Sequence, residues 1–261
     1  MMNGAERIAA AFSGRKGRAA LMPYLMGGFP DIETSLGIGN AYVEGGADLI
    51  ELGVPFSDPL ADGPVIQSAG SAALAAGATL DLVLGVAGEL SARLPIVLMC
   101  YSNAILARGT DRFVDEIAAA GVSGLIVPDL PLEEAPATSK SCAEAGVAFV
   151  GLAAPTSTDQ RLAAIGAATQ GFLYTVAVAG TTGERGDDSD YGEVIARVRS
   201  HTSAPVALGF GISTPEQASA AARAGADGVI IGSRLVREAA EADQPPAACK
   251  TLVEQFARAL R

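Results

Sequence analysis

A (β/α)8 barrel, the TIM-barrel fold of parallel strands, is predicted for this sequence by two patterns. The first is a recurring phrase in which a helix ends in glycine, a small residue follows, and an apolar run begins. It stands at Gly45-Gly46-Ala47 before Leu49-Ile50 and at Ala120-Gly121-Val122 before Leu125-Ile126-Val127. It returns at Ala145-Gly146-Val147 before Phe149-Val150, and at Ala224-Gly225-Ala226 before Val229-Ile230-Ile231. Glycine ends a helix in the left-handed conformation, and a run apolar on both faces is a strand covered on both sides. The second pattern is number. Residues 21–26, 96–100, 172–176 and 206–210 bring the apolar runs to eight, alternating with stretches of helical period at 81–90, 111–120, 133–145 and Pro215–Arg223.

Taken in order, residues 5–12 form an extra helix before the first strand, placed to close the barrel floor. No Gly-x-Gly-x-x-Gly turn follows that first strand, which disfavours a doubly wound open sheet. Ser213-Thr214-Pro215-Glu216 gives a capping residue and a first-turn proline to the helix after the seventh strand. Gly232-Ser233-Arg234 after the eighth strand opens a short helix at Leu235, and residues 247–260 form the last one. No linker interrupts the series, so residues 1–261 read as one domain.

Composition narrows the function. With 49% hydrophobic residues the chain has ample core. Its net charge of −11 repels phosphate backbones, so nucleic acid is not an expected partner. No apolar run reaches the length of a membrane span, and residues 1–14 lack a signal-peptide core, which reads as cytoplasmic. Cys100, Cys142 and Cys249 suggest neither disulfides nor a metal site.

Active sites of such barrels lie in the loops after the strands. None of the three lysines, Lys16, Lys140 and Lys250, ends a strand, so a Schiff base is not expected. The single histidine, His201, sits at a helix end near the floor. Cys100 ends a strand but has no histidine to serve as its base. Carboxylates remain. In the second strand, period 2 turns Leu49, Glu51 and Gly53 inward and Ile50 and Leu52 outward. A glutamate pointing into the barrel loses solvation, its pKa rises, and it trades protons near neutral pH. No arginine ends a strand to pair with it. Asp58 and Asp62 follow on a proline-rich loop. Across the mouth, glycines at 180, 183, 209, 211 and 232 let backbone N–H groups approach an anion, helped by the helix start near Ser233. A small phosphorylated substrate is therefore expected, with no cofactor and no metal.

Pro23-Tyr24, the stretch from Glu51 to Gln67, Val127-Pro128-Asp129-Leu130-Pro131, Thr182-Gly183, Gly209-Phe210-Gly211-Ile212-Ser213 and Gly232-Ser233 resemble the tryptophan synthase alpha chain over almost the whole sequence. The segment Glu-Leu-Gly-Val-Pro-Phe-Ser-Asp-Pro-Leu-Ala-Asp-Gly-Pro at residues 51–64 is specific to that family. The resemblance implies retro-aldol cleavage of indole-3-glycerol phosphate to indole and glyceraldehyde 3-phosphate. It implies Glu51 as acid and base, Asp62 at the indole N–H, and Tyr174, ending the sixth strand, as the active-site tyrosine. Tyr24, Met99, Ile126 and Phe210 become the indole walls, and Thr182, Gly183, Gly211, Gly232 and Ser233 the phosphate cradle. Pro55, Phe56, Asp58, Asp129, Leu130 and Pro131 become the face toward a beta subunit in an α2β2 assembly. The sequence departs from many members at Val178, where they carry arginine, so activation by beta is expected to be smaller than usual. Two other readings fit the same residues: a stand-alone lyase that releases free indole, and a weakly active barrel that activates a beta subunit.

Overall fold

The structure, a computed structural model, describes residues 2–14, 17–177 and 191–261. Its elements begin with α1 (Gly4–Ser13), β1 (Ala20–Met26), α2 (Ile32–Gly45), β2 (Ile50–Gly53), α3 (Pro64–Ala75) and α4 (Leu80–Ser91). There follow β3 (Ile96–Met99), α5 (Ser102–Arg108), α6 (Thr110–Ala119), β4 (Gly124–Ile126), α7 (Pro136–Glu144), β5 (Ala148–Phe149) and β6 (Leu152–Ala153). The chain then continues through α8 (Asp159–Ala168), β7 (Leu173–Val176), α9 (Tyr191–Arg199), β8 (Val206–Gly209), α10 (Pro215–Arg223), β9 (Gly228–Ile231), α11 (Ser233–Glu241) and α12 (Pro245–Ala259).

The strands are parallel, in the order β5-β4-β3-β2-β1-β9-β8-β7-β6. The two ends of this ladder are neighbours in sequence, so the sheet closes into the eight-stranded barrel with its fifth strand in two pieces. Val150 N–H still bonds Leu125 C=O on one side, and Tyr174 N–H bonds Gly151 C=O on the other. The break has a local cause. Gly151 gives its own N–H to the Thr169 hydroxyl at 2.7 Å instead of to a ladder carbonyl. The single fifth strand predicted from Phe149-Val150 is thus longer and interrupted.

Each predicted glycine stop is left-handed: Gly46, Gly121, Gly146 and Gly225 have φ of 101°, 75°, 75° and 103°. Thr214 caps α10 in a reciprocal box with Gln217, and Pro215 occupies the first turn. The predicted helix at 133–145 starts later, at Pro136, because residues 131–135 form a turn in which Glu134 and Ala135 N–H bond Pro131 C=O.

Two layers of core follow from the period of the strands. Met22, Leu49, Val97, Ile126, Phe172 and Ile230 fill the barrel, and Ile8 and Phe12 of α1 plug it from below. Leu25, Ile50, Leu52, Leu98, Leu125 and Val229 face outward into the helices. Arg7 of α1 fixes the plug by donating to the carbonyls of Gly121, Ser91 and Leu94. His201 lies just beyond α9 with its Nε2 3.7 Å from Asp159, and it is not among the residues that line the barrel's cavity. Lys140 and Lys250 are held in surface pairs with Glu144 and Glu44, while Lys16 lies outside the described residues.

Candidate active site

The C-terminal ends of the strands surround a cavity of about 200 Å³. Glu51 reaches it from β2, in register with Tyr24 of β1 and Val97 of β3. Its side chain points inward, as period 2 requires, and only 2% of the residue is exposed. No ion pair compensates it among the described residues, and Oε2 has no hydrogen-bond partner. Burial, then the charge of Asp62, pushes its carboxyl up to about 8. A carboxyl in that state is a protonated acid at neutral pH.

Asp62 is 7% exposed and stands on the loop between β2 and α3. Burial raises it to about 6, while a hydrogen bond from Tyr101 pulls the other way. It therefore remains largely ionised where Glu51 is neutral. The loop is fixed by Tyr101, whose hydroxyl accepts Ala61 N–H at 3.1 Å, and by Gln67, whose side chain donates to Asp62 C=O at 2.8 Å. Tyr101 is in turn stacked on Phe56, with ring centroids 5.2 Å apart. Sequence reading missed Tyr101, although an aromatic immediately after a strand end was the available signal.

Two tyrosines flank the acids through the same device. Tyr24 lies against Gly53, where an added Cβ would sit 2.0 Å from its hydroxyl. Tyr174 lies against Gly209, where a Cβ would sit 2.6 Å from its hydroxyl. Each strand-end glycine makes room for a neighbouring strand's phenol. Burial, followed by the nearby carboxylates, raises both phenols well above their ordinary value, so both stay protonated. Gly53→Ala is therefore expected to displace Tyr24 and to lower stability by about 1–3 kcal/mol. Unfolding in urea checks this, and wild-type stability would contradict it.

Tyr174 is the second residue of β7 rather than its end. Its ring meets Phe210 edge-on at 6.0 Å. Phe210 holds φ of 64°, a left-handed conformation that a bulky residue adopts at a cost of about 1–3 kcal/mol. Gly211 beside it has φ of 94°.

Of the residues expected at the site, Tyr24, Glu51, Asp62, Met99, Tyr174, Phe210, Gly211, Gly232 and Ser233 line the cavity. Ile126 does not line it: although in register with Met99, it is 1% exposed and packs in the barrel interior. Thr182, Gly183 and Val178 lie outside the described residues. Two cationic side chains were missed: Arg234 and Arg237 of α11 also line the cavity. Burial pushes the three thiols up to about 12, which leaves them unreactive.

The rim carries the other expected residues, with one correction. Pro55 is buried rather than presented to a partner. Asp58 and Pro131 are exposed, and Phe56 and Leu130 partly so. Asp129 is exposed but engaged: it accepts Ser102 N–H and hydroxyl at 2.8 and 2.7 Å, at the start of α5. Leu60 is the most prominent apolar side chain there, 76% exposed at the tip of the Asp58–Asp62 loop.

Comparison with known proteins agrees with this geometry. Residues 11–261 match the family model described as tryptophan synthase alpha chain. The tryptophan synthase alpha chain of Synechococcus elongatus is 50% identical over 229 residues, covering 87% of this chain and 86% of that one. The alpha chain of a Synechocystis species is 45% identical, with 97% of each chain covered. Among solved structures, a Mycobacterium tuberculosis tryptophan synthase chain superposes with a TM-score of 0.92 at 38% identity, covering 98% of both chains. The alpha subunit from Legionella pneumophila gives 0.91 at 33% identity, covering 100% of this chain and 99% of that one. On sequence, fold and the contents of its barrel mouth, this chain belongs to the tryptophan synthase alpha chain family.

Proposed function

We propose that Glu51 and Asp62 carry out the family's reaction here, cleaving indole-3-glycerol phosphate to indole and glyceraldehyde 3-phosphate in tryptophan biosynthesis. The observation that supports this reading best is Glu51: inward, almost fully buried, without an ion pair among the described residues, and raised to about 8 beside an ionised Asp62. A retro-aldol needs an electron sink. Here the indole ring supplies it. Protonated Glu51 delivers a proton to indole C3, and the ring becomes a cation. Asp62 accepts the indole N–H and stabilises that charge. The bond between C3 and the glycerol side chain then breaks, its electrons restore the aromatic ring, and the glycerol hydroxyl that becomes the aldehyde gives its proton to Glu51. Glu51 ends protonated, as it began.

Tyr24, Met99, Tyr174 and Phe210 wall the indole. Backbone N–H groups at Gly211, Gly232 and Ser233 take the phosphate, with Thr182 and Gly183 assigned to the same cradle on family resemblance. The partner is the beta subunit, in an α2β2 assembly, reached through Phe56, Asp58, Leu60, Leu130 and Pro131. No single described helix is long and apolar enough to cross a membrane, and a cytoplasmic location fits the reading. The test is indole release from indole-3-glycerol phosphate by the purified chain, alone and with a beta subunit. Release that rises on complex formation is expected. No release in either condition would refute the reading.

A further inference from the structure

We propose that Arg234 and Arg237 are side-chain ligands of the substrate's phosphate, with Glu238 holding Arg234 poised at the edge of that subsite. The inference rests on the reading above and extends it, because the cradle itself is built from backbone.

The argument begins with charge. The residues that line the cavity include two acids, Glu51 and Asp62, and two arginines, Arg234 and Arg237. Glu51 is neutral at pH 7 but Asp62 is largely ionised, and the whole chain carries −11. A phosphate dianion entering this mouth meets repulsion from both. The start of α11 offers about half a positive charge and a few N–H groups, which falls short of balancing a dianion. Two full cations on the same wall supply what the helix end lacks.

The helix places them for this. Positions 234 and 237 are three apart and share one face of α11, Arg234 directly after Ser233 and Arg237 one turn further on. Leu235, Val236 and Ala239 occupy the other face and are buried, so the helix cannot rotate the arginines away. Both arginines are partly buried. Arg234 Nη1 donates to Glu238 Oε2 at 2.6 Å, and both side chains are about a third exposed. This pair holds the guanidinium at the cavity and screens it until a stronger anion arrives.

The experiment measures binding of glycerol 3-phosphate to the full chain by calorimetry, and steady-state indole release. Arg234→Ala is expected to weaken glycerol 3-phosphate about tenfold, with most of the catalytic effect in KM rather than kcat. Arg237→Ala should act in the same direction, and Arg234→Lys should recover part of the loss. The salt dependence of binding should be shallower in Arg234→Ala than in wild type. Glu238→Ala separates this role from a purely structural pair, because it breaks the same bond but leaves the cation, so affinity should hold or improve. Wild-type affinity in both arginine variants would overturn the proposal, as would a loss in Glu238→Ala equal to that in Arg234→Ala. A wild-type chain that binds glycerol 3-phosphate but cleaves nothing would overturn the assigned reaction instead, with the arginine comparison still readable. A wild-type chain that binds no phosphate would overturn both.

Discussion

Replacing Glu51 by glutamine is expected to lower kcat for indole release by more than a hundredfold, while the protein stays folded and becomes more stable. The amide keeps the shape of the carboxyl but cannot deliver the proton to C3 or take one back from the hydroxyl. Stability moves the other way because the native carboxyl is held at about 8, against about 4.5 for the same group in water. Below about pH 4.5 the folded and unfolded states are both protonated, and the group has no effect. Between 4.5 and 8 only the unfolded chain gives up its proton, so folded stability falls. Above about pH 8 the full cost is present, on the order of 5 kcal/mol for this shift. Glu51→Gln removes it. Its Tm should match wild type near pH 4.5 and exceed it by several degrees at pH 8. A variant that retains a tenth of the activity, or that melts below wild type at pH 8, would refute this account of Glu51.

Asp62→Asn is the second large effect, expected to reduce kcat/KM about a hundredfold. The amide still fills the loop position, but it offers no negative charge to the indole ring cation. The substitution also reaches Glu51. Because the charge of Asp62 contributes to raising Glu51, after burial, its removal should bring the Glu51 carboxyl down. The residual activity should therefore begin to fall at a lower alkaline pH than in wild type, and the acid limb attributed to Asp62 should disappear. Unchanged limbs in Asp62→Asn would mean that the two carboxyls do not titrate as a coupled pair.

Much of this was legible in the sequence because parallel strands buried on both faces leave a plain signature. The glycine-ended helices gave four of the strands, and period 2 alone turned Glu51 inward. The interrupted fifth strand was not legible. It depends on a hydroxyl at Thr169 capturing the N–H of Gly151, which is a contact between residues far apart along the chain. Pro55 was assigned to the rim as a rigid apolar residue, but burial depends on the packing of the whole chain and leaves it inside. Arg234 stood in the Gly232-Ser233-Arg234 stretch but was given no role, and Arg237 lay a turn further into the helix. Their spacing of three, opposite the apolar Leu235, Val236 and Ala239, was the signal that one helix face carried both. Gly209 was read as an opening for a ligand and Gly53 as an inward-facing position, but they also seat the two tyrosines.

The central claim is that a neutral Glu51 and an ionised Asp62 work together, and the pH dependence of kcat/KM for indole release tests it most directly. Activity needs Asp62 deprotonated and Glu51 protonated, so the rate should rise through about pH 6 and fall through about pH 8, a bell with its summit near neutrality. A rate that stays flat from pH 5 to 9, or that climbs steadily through pH 8, would contradict it.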